Sequence, residues 1–112
     1  EWLDLRQHDL PGVERVDMDT LCAESDVISL HAPLNEQTRH CIDARRIALM
    51  KATAIVVNTA RGGLVHTDAL YDALAARRIL GAGLDVFEQE PPGIHKLFGL
   101  DNVVVTNHMG WY

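Results

Sequence analysis

The sequence has 112 residues, of which 47% are hydrophobic and 23% charged, and its formal net charge is −6. This length predicts one domain at most, and the acidic balance argues against nucleic-acid binding, which needs clustered Lys and Arg. No apolar run approaches the ~20 residues that cross a bilayer, so we predict no membrane segment, no signal peptide and a cytoplasmic location.

Cysteine and histidine usage predicts neither a disulfide framework nor a metal site. Cys22 and Cys41 stand beside apolar residues without a paired motif, as is typical of proteins in a reducing compartment. The six histidines show no helical His-x-x-x-His spacing. The chain starts at Glu1 rather than at methionine, so we expect it to be part of a longer protein.

The first predicted elements are a short strand over residues 13–17 and a brief helix over residues 20–24, with Asp19 as its N-cap. Residues 26–30, DVISL, are the next predicted strand. Pro33 then prevents helix formation and favours extended backbone just before it, at the end of that strand.

The middle of the chain predicts a helix, a buried strand and a second helix. Asp43 is the predicted N-cap of a helix over residues 44–51, and the apolar quartet at residues 54–57 suits a strand covered on both faces. Thr67 or Asp68 is the predicted N-cap of the second helix. Residues on one face of that helix follow helical spacing and Gly81 ends it; they are Leu70, Ala73, Leu74 and Arg77.

The last part predicts strands over residues 83–87 and 102–106, separated by a Pro-Pro-Gly breaker and a loop with one helical turn. Strands that alternate with helices build a parallel sheet with right-handed crossovers. The carboxyl ends of such strands share one edge. We therefore expect four polar residues to meet there: His31, Arg61, Asp85 and His108.

Three residues could together carry out chemistry on an oxoacid. Arg61 is followed by Gly62-Gly63, which permit close backbone approach, and its guanidinium can bind a carboxylate through two hydrogen bonds. His108 can exchange a proton near neutral pH, and a carboxylate such as Glu90 favours the charged form of a histidine. Taken singly, each also fits a structural role: a solvated arginine, a loop acid and a loop histidine.

Four segments resemble the C-terminal half of the nucleotide-binding domain of D-isomer-specific 2-hydroxyacid dehydrogenases: SDVISLHAPL, NTARGGLV, GAGLDVFEQEP and NVVVTNH. The resemblance covers residues 16–112 and implies an α/β fold, a partial Rossmann-type doubly wound parallel sheet. It implies NAD as cofactor, with NADP left open. It also implies Arg61 as the carboxylate binder, His108 as the proton donor and Glu90 as the partner of His108.

The resemblance further implies which residues contact the cofactor. They are Ala32, Pro33, Leu34, Thr38, Thr59, Ala60, Asp85, His108 and Trp111. The tail from His108 to Tyr112 is most similar to the C-terminal-binding-protein branch, so the alternative function is a corepressor-type module in which the dinucleotide controls dimerisation. Two residues depart from the family pattern: Asn107 replaces a proline, and His66 replaces an acidic residue.

The sequence lacks the G-x-G-x-x-G turn that holds the pyrophosphate of a dinucleotide. We therefore predict that residues 1–112 form a partial NAD-binding domain, without the glycine-rich half and the substrate domain. The strand order that the resemblance implies makes residues 26–30 an exposed edge strand, which invites self-association. We expect a homodimer that acts on a small 2-oxoacid or 2-hydroxyacid.

Overall fold

The computed structural model describes residues 10–93 and 95–110. Four parallel strands form one sheet in the order β1-β2-β3-β4. The elements in chain order are helix α1 (Met18–Glu24), strand β1 (Val27–Leu30), helix α2 (Ala44–Leu49), strand β2 (Ile55–Asn58), a 3-10 turn (Gly62–Leu64), helix α3 (Thr67–Ala75), strand β3 (Gly81–Leu84), a second 3-10 turn (Lys96–Gly99) and strand β4 (Val103–Val105). The predicted α/β parallel sheet is confirmed.

Strand β1 lies at the edge of the sheet, as predicted for residues 26–30. It pairs with β2, and no second strand pairs with it in the part of the chain that the structure describes. The side chains of β1 alternate, with Ile28 and Leu30 buried and Val27 58% exposed. The predicted self-association through this edge stays a prediction.

The predicted strand over residues 13–17 is wrong. This segment has no regular structure, and Val13 is 64% exposed. A strand needs a neighbour for its backbone N–H and C=O groups, and none of the described strands pairs with this segment. The helix that follows starts at Met18, because Asp17 rather than Asp19 accepts the capping hydrogen bond, from the Thr20 N–H at 2.8 Å.

The boundaries of the other two helices were only partly predicted. Asp43 caps α2 as expected and accepts from the Arg46 N–H at 2.9 Å, but α2 ends at Leu49 rather than at residue 51. The cap of α3 is His66, neither Thr67 nor Asp68, since its Nδ1 accepts from the Ala69 N–H at 3.2 Å.

Helix α3 ends at Ala75, six residues before the predicted end at Gly81. Arg77 has a φ of 53°, which no helical residue adopts, so it lies outside the helix. Gly81 instead begins β3, two residues before the predicted start of that strand. A Cβ at Gly81 would lie 2.9 Å from the carbonyl oxygen of Asn102, so the approach of the segment before β4 requires glycine here.

The core lies against one face of the sheet. On neighbouring strands, residues that lie in register are buried together. They form one hydrophobic cluster with buried side chains from all three α-helices. The strand members of this cluster are Ile28, Leu30, Val56, Ala82 and Leu84. On the opposite face Ile55 and Val57 are only half-buried. The expectation that β2 is covered on both faces is therefore wrong for the described residues, because their helices contribute to a single cluster.

Candidate active site

The end of β2 is organised by a buried asparagine that the sequence analysis missed. Asn58 is 1% exposed and sits on the core-facing side of the sheet. Its Nδ2 donates to the carbonyl oxygen of Arg61 at 2.9 Å, and its Oδ1 accepts from the Ala60 N–H at 3.1 Å. The sequence did contain a signal for Asn58: it is a polar residue directly after the apolar residues 54–57 of the predicted buried strand. These two bonds fix the backbone that carries Arg61.

The glycine turn after Arg61 is packed against another backbone segment. A Cβ on Gly62 would lie 1.9 Å from the carbonyl carbon of Phe87 and 2.4 Å from the nitrogen of Glu88, which no side chain can tolerate. The predicted need for close backbone approach is met here. Arg61 itself is exposed, and its Nη1 donates to the Ala60 carbonyl oxygen at 2.7 Å. Its other N–H groups are available to an anion.

His108 and Glu90 form the predicted pair. His108 Nδ1 lies 2.7 Å from Glu90 Oε2, and Glu90 Oε1 accepts from the Phe87 N–H at 3.0 Å. The Phe87 N–H, assisted by His108, holds the pKa of Glu90 below its ordinary value, so Glu90 is ionised near neutral pH. An ionised carboxylate only accepts, so His108 Nδ1 carries the hydrogen and Nε2 is the ring nitrogen left for a substrate.

The backbone of His108 adopts a conformation that is rare outside glycine. Its φ is 51°, and its N–H donates to the Asp85 carbonyl oxygen at 2.9 Å. Such residues persist only where surrounding contacts fix them, and they concentrate at functional sites. The backbone of the loop after β4 is thus fixed at His108, and the contact with Glu90 holds its imidazole.

Asp85, at the end of β3, anchors that loop. It is 4% exposed; its Oδ1 accepts from the Thr106 hydroxyl and from the Met109 N–H at 2.8 Å, and its Oδ2 accepts from the Gly110 N–H at 2.7 Å. The Thr106 hydroxyl and these N–H groups lower the pKa of Asp85. A carboxylate oxygen offers two lone pairs, so Oδ2 can accept one further hydrogen bond.

The three predicted catalytic residues line one cleft of about 230 Å³. Arg61 is close enough to Glu90 for its charge to contribute to the lowered pKa of that carboxyl. The remaining lining residues include three that the sequence analysis did not assign to the site, namely Arg39, Phe87 and Glu88. A second cleft of about 260 Å³ shares Glu90 and His108 and extends to Asp85 and Thr106. The fold therefore brings Arg61, Glu90 and His108 together.

Six of the residues predicted to contact a cofactor follow β1 and β2. The loop after β1 is closed by Thr38, whose Oγ1 donates to the Pro33 carbonyl oxygen at 2.6 Å. Leu34 packs on the glycine turn, since a Cβ on Gly63 would lie 2.8 Å from its Cδ2. Ala32 and Ala60 are half-buried and Thr59 is exposed. Trp111 lies outside the described residues.

His31, the fourth strand-end residue, takes no part in the cleft. Its Nε2 lies 2.8 Å from the Ser29 hydroxyl on the edge strand.

Cys22 and Cys41 are free, and burial raises the pKa of both thiols. Within residues 10–93 and 95–110, no group of three or more His, Cys, Asp and Glu side chains could hold a metal ion. No helix of this described part is long and apolar enough to span a membrane.

The polar groups at the strand ends fit the nicotinamide half of a dinucleotide. Asp85 Oδ2 has capacity for one more donor, such as the N–H of a carboxamide, and Thr59 lies beside it: a Cβ on Gly110 would be 3.0 Å from Asp85 Oδ2 and 3.5 Å from Thr59 Cβ. The glycine-rich turn that would hold the pyrophosphate is absent from the 112 residues.

Comparison with known proteins identifies similar sequences. Residues 4–110 match the family described as D-isomer specific 2-hydroxyacid dehydrogenase, NAD binding domain. The chain is 56% identical over 105 residues to a hydroxypyruvate reductase of Thermotoga maritima, a match that covers 91% of this chain and 34% of that protein. The chain thus spans about a third of the length of this curated relative.

Solved structures share the fold of this chain. An acyclic imino acid reductase, Bsp5, in complex with NADPH and D-Arg superposes with a TM-score of 0.86 at 38% identity, covering 96% of this chain and 34% of that one. A D-lactate dehydrogenase with NAD⁺ from Lactobacillus jensenii superposes with a TM-score of 0.80 at 37% identity, covering 87% and 33% of the two chains.

Proposed function

The chain belongs to the D-isomer specific 2-hydroxyacid dehydrogenase family, as an NAD-binding domain, and from that premise we propose that it carries the catalytic half of an enzyme that interconverts a 2-oxoacid and a D-2-hydroxyacid. The observation that supports this proposal is the single cleft lined by Arg61, Glu90 and His108. This set provides a cation for a carboxylate and an acid for a carbonyl oxygen, next to a site suited to nicotinamide.

Arg61 binds the substrate carboxylate in this proposal. The Asn58 side chain and the glycine turn fix its backbone, while its guanidinium remains exposed to the cleft. A planar guanidinium forms two parallel hydrogen bonds with a carboxylate and so orients the adjacent carbonyl group. That orientation removes much of the entropic cost of bringing the reacting groups together.

His108 donates a proton to the carbonyl oxygen through Nε2 during reduction. NADH, when bound beside Asp85 and Thr59, would supply the hydride for the carbonyl carbon. Glu90 stabilises the protonated imidazole and holds its orientation through the 2.7 Å contact with Nδ1. In the reverse direction the neutral ring accepts the hydroxyl proton at Nε2.

The proposed nicotinamide contacts come from three strand ends. Asp85 accepts from the carboxamide, while Ala32, Pro33, Leu34 and Thr38 form one wall and Thr59 and Ala60 another. Their support is the fit described above; Trp111 joins this set on the family resemblance alone. NAD is the proposed cofactor, and NADP stays open because the residues that select the adenosine ribose are not among these 112.

We further propose a homodimer and a cytoplasmic location. The homodimer follows the family resemblance, whereas the exposed edge of β1 supports self-association of residues 1–112 when they are prepared alone, since its unpaired backbone groups can then accept another strand. Two free cysteines suit a reducing compartment. Light scattering of the intact protein tests the homodimer, light scattering of residues 1–112 alone tests the edge, and cell fractionation tests the location.

The decisive experiment measures turnover by the intact protein. NADH oxidation is followed with hydroxypyruvate, glyoxylate and pyruvate, and NAD⁺ reduction is followed with D- and L-lactate. Reduction of at least one oxoacid, with oxidation confined to the D-hydroxyacid, supports the enzyme. Tight NADH binding without turnover on any oxoacid would instead support the corepressor-type module, since that branch keeps the same residues.

A further inference from the structure

We propose that Glu88 and His40 are a positioning pair for the reaction: their contact holds the turn after Arg61 against the segment that carries Glu90. Neither residue touches the reacting atoms in this proposal, which rests on the function proposed above. Its basis is a second histidine–glutamate contact at the rim of the same cleft, 48 residues apart in sequence.

Glu88 is bound by side chains from two separate segments. Its Oε1 contacts His40 Nε2, in the loop between β1 and α2, and its Oε2 accepts from the Thr67 hydroxyl at 2.8 Å, at the start of α3. Both carboxylate oxygens are therefore engaged. Glu88 thus joins the loop after β1, the start of α3 and the segment after β3.

The glycine turn lies inside this set of contacts. On one side, a Cβ on Gly62 would collide with the backbone of residues 87–88. On the other side, the His40 N–H donates to the Gly63 carbonyl oxygen at 2.8 Å, and the Ile42 N–H donates to the Leu64 carbonyl oxygen at 3.0 Å. The His40–Glu88 contact links these two sides, so the turn is enclosed by backbone on both flanks and by this side-chain contact across them.

The same segment also places the proton donor. The Phe87 N–H, one residue before Glu88, donates to Glu90 Oε1, and Glu90 in turn holds His108. A shift of residues 87–88 therefore moves the carboxylate-binding turn and the acid pair relative to each other. Misplacement of about 1 Å in such a set costs substantial rate.

The backbone of His40 agrees with this role. Its φ is 51°, so the residue occupies the left-handed region that side chains seldom adopt. Its ring also meets the ring of His66 edge-on, with centroids 4.7 Å apart. The contact of Nε2 with Glu88 and the ring contact with His66 together fix the imidazole of His40.

The contact is suited to placement more than to global stability. Both side chains are 34% exposed, and ion pairs at such exposure contribute little to the free energy of unfolding. Loss of the contact should therefore appear in substrate binding at Arg61 while the protein stays folded.

The test compares Glu88→Ala with Glu88→Gln in the intact protein. Glu88→Ala should raise KM for the oxoacid about 5-fold, with KM for NADH and the melting temperature nearly unchanged. Glu88→Gln keeps an oxygen for His40 and a polar partner for Thr67, so it should restore KM to within about 2-fold. The matched control is Glu24→Ala, which removes an exposed carboxylate from the end of α1, away from the cleft lining.

Partial unfolding would lower the amount of active enzyme without changing KM, so the KM of Glu88→Ala separates positioning from folding. An unchanged KM in an active protein overturns the inference and leaves the proposed function intact. If the wild-type protein shows no turnover, the proposed function fails, and amide exchange decides the positioning role. The N–H groups of Leu64 and Val65, which bond to Arg61 and Gly62, should exchange faster in Glu88→Ala than in Glu24→Ala; equal rates would overturn it.

Discussion

The cleft contains two histidine–glutamate contacts that differ in which ring nitrogen faces the carboxylate. His108 uses Nδ1, the nitrogen nearest its own backbone, and His40 uses the distal Nε2. Both residues have a φ of 51° and both contact the loop after β3. The distal nitrogen of His108 is therefore available to a substrate, whereas the distal nitrogen of His40 contacts Glu88. The same two residue types can serve as an acid or as a tether according to this choice.

The carboxylates differ in a matching way. The second oxygen of Glu90 is held by a backbone N–H, and that bond lowers the pKa of Glu90. The second oxygen of Glu88 is held by the hydroxyl of Thr67 on another element. Glu90 is thus fixed within its own loop, while Glu88 connects separate elements. This difference predicts that substitutions at the two pairs have effects of different size and kind.

The largest expected effect is that of His108→Gln. Loss of a general acid lowers kcat by about 10²- to 10⁴-fold, and glutamine cannot supply a proton. His40→Gln, the matched control, should lower kcat/KM by less than about 10-fold, because glutamine can still donate to Glu88. Steady-state reduction of the preferred oxoacid measures both. Equal losses at the two positions would contradict the division into acid and tether.

Arg61→Lys should lower kcat/KM for the oxoacid by at least about 10-fold, because a two-point guanidinium contact becomes a point charge. Arg39 lines the same cleft but lies in the loop between β1 and α2, so Arg39→Lys is the control and should change kcat/KM only about 2-fold. The ratio of the two effects tests which cation binds the carboxylate. Unchanged kinetics in Arg61→Lys would exclude Arg61 from that role.

Asp85→Asn tests what anchors the acid. The pKa of Asp85 is lowered in the folded state, so its charge stabilises the protein above the ordinary pKa of an aspartate, and that stability is lost as the pH falls through the lowered value. Asparagine has one acceptor oxygen for three donors, so we expect Asp85→Asn to lower the free energy of unfolding at neutral pH.

Thermal unfolding at neutral and acidic pH measures this loss. The difference between wild-type and Asp85→Asn protein should shrink as the pH falls, because the wild-type carboxylate then becomes protonated. Thr38→Val, which removes a side-chain hydroxyl from the loop after β1, is the control and should keep a constant difference. A difference for Asp85→Asn that does not vary with pH would contradict the role of its charge.

Sequence patterns identified the four strands of the sheet but not the contacts that set their ends, and they wrongly predicted a further strand over residues 13–17. Mainly apolar residues predicted β1, β2 and β4. Gly81 was predicted to end the helix before β3, since glycine favours helix ends. The structure places Gly81 in β3, where the carbonyl oxygen of Asn102 leaves no room for a Cβ. Such a requirement arises only when another strand is near.

The catalytic residues of the candidate site were predictable from the sequence, but the contact between distant residues beside them was not. Arg61, Glu90 and His108 were identified by the family resemblance, and the structure brings them to one cleft. The His40–Glu88 contact was missed, because its members lie 48 residues apart and no sequence pattern pairs His40 with Glu88, although Glu88 lies in the segment GAGLDVFEQEP. Contacts of this kind depend on the path of the chain between distant residues, which local patterns do not record.

The smallest expected effect is that of Glu90→Gln, and it concerns pH more than rate. Glutamine has a single acceptor oxygen, which can still accept from His108 Nδ1, so the ring keeps its partner while the negative charge and the bond from the Phe87 N–H are lost. A nearby negative charge favours the protonated imidazole, and reduction requires that form to donate a proton. Without the charge the alkaline limb of the pH profile for oxoacid reduction should move to lower pH, and only modestly because both side chains are partly exposed. Glu88→Gln removes an equal charge from the tether and should leave that limb in place. A limb that stays put in Glu90→Gln, or one that moves equally in both variants, would show that Glu90 does not act through its charge on His108.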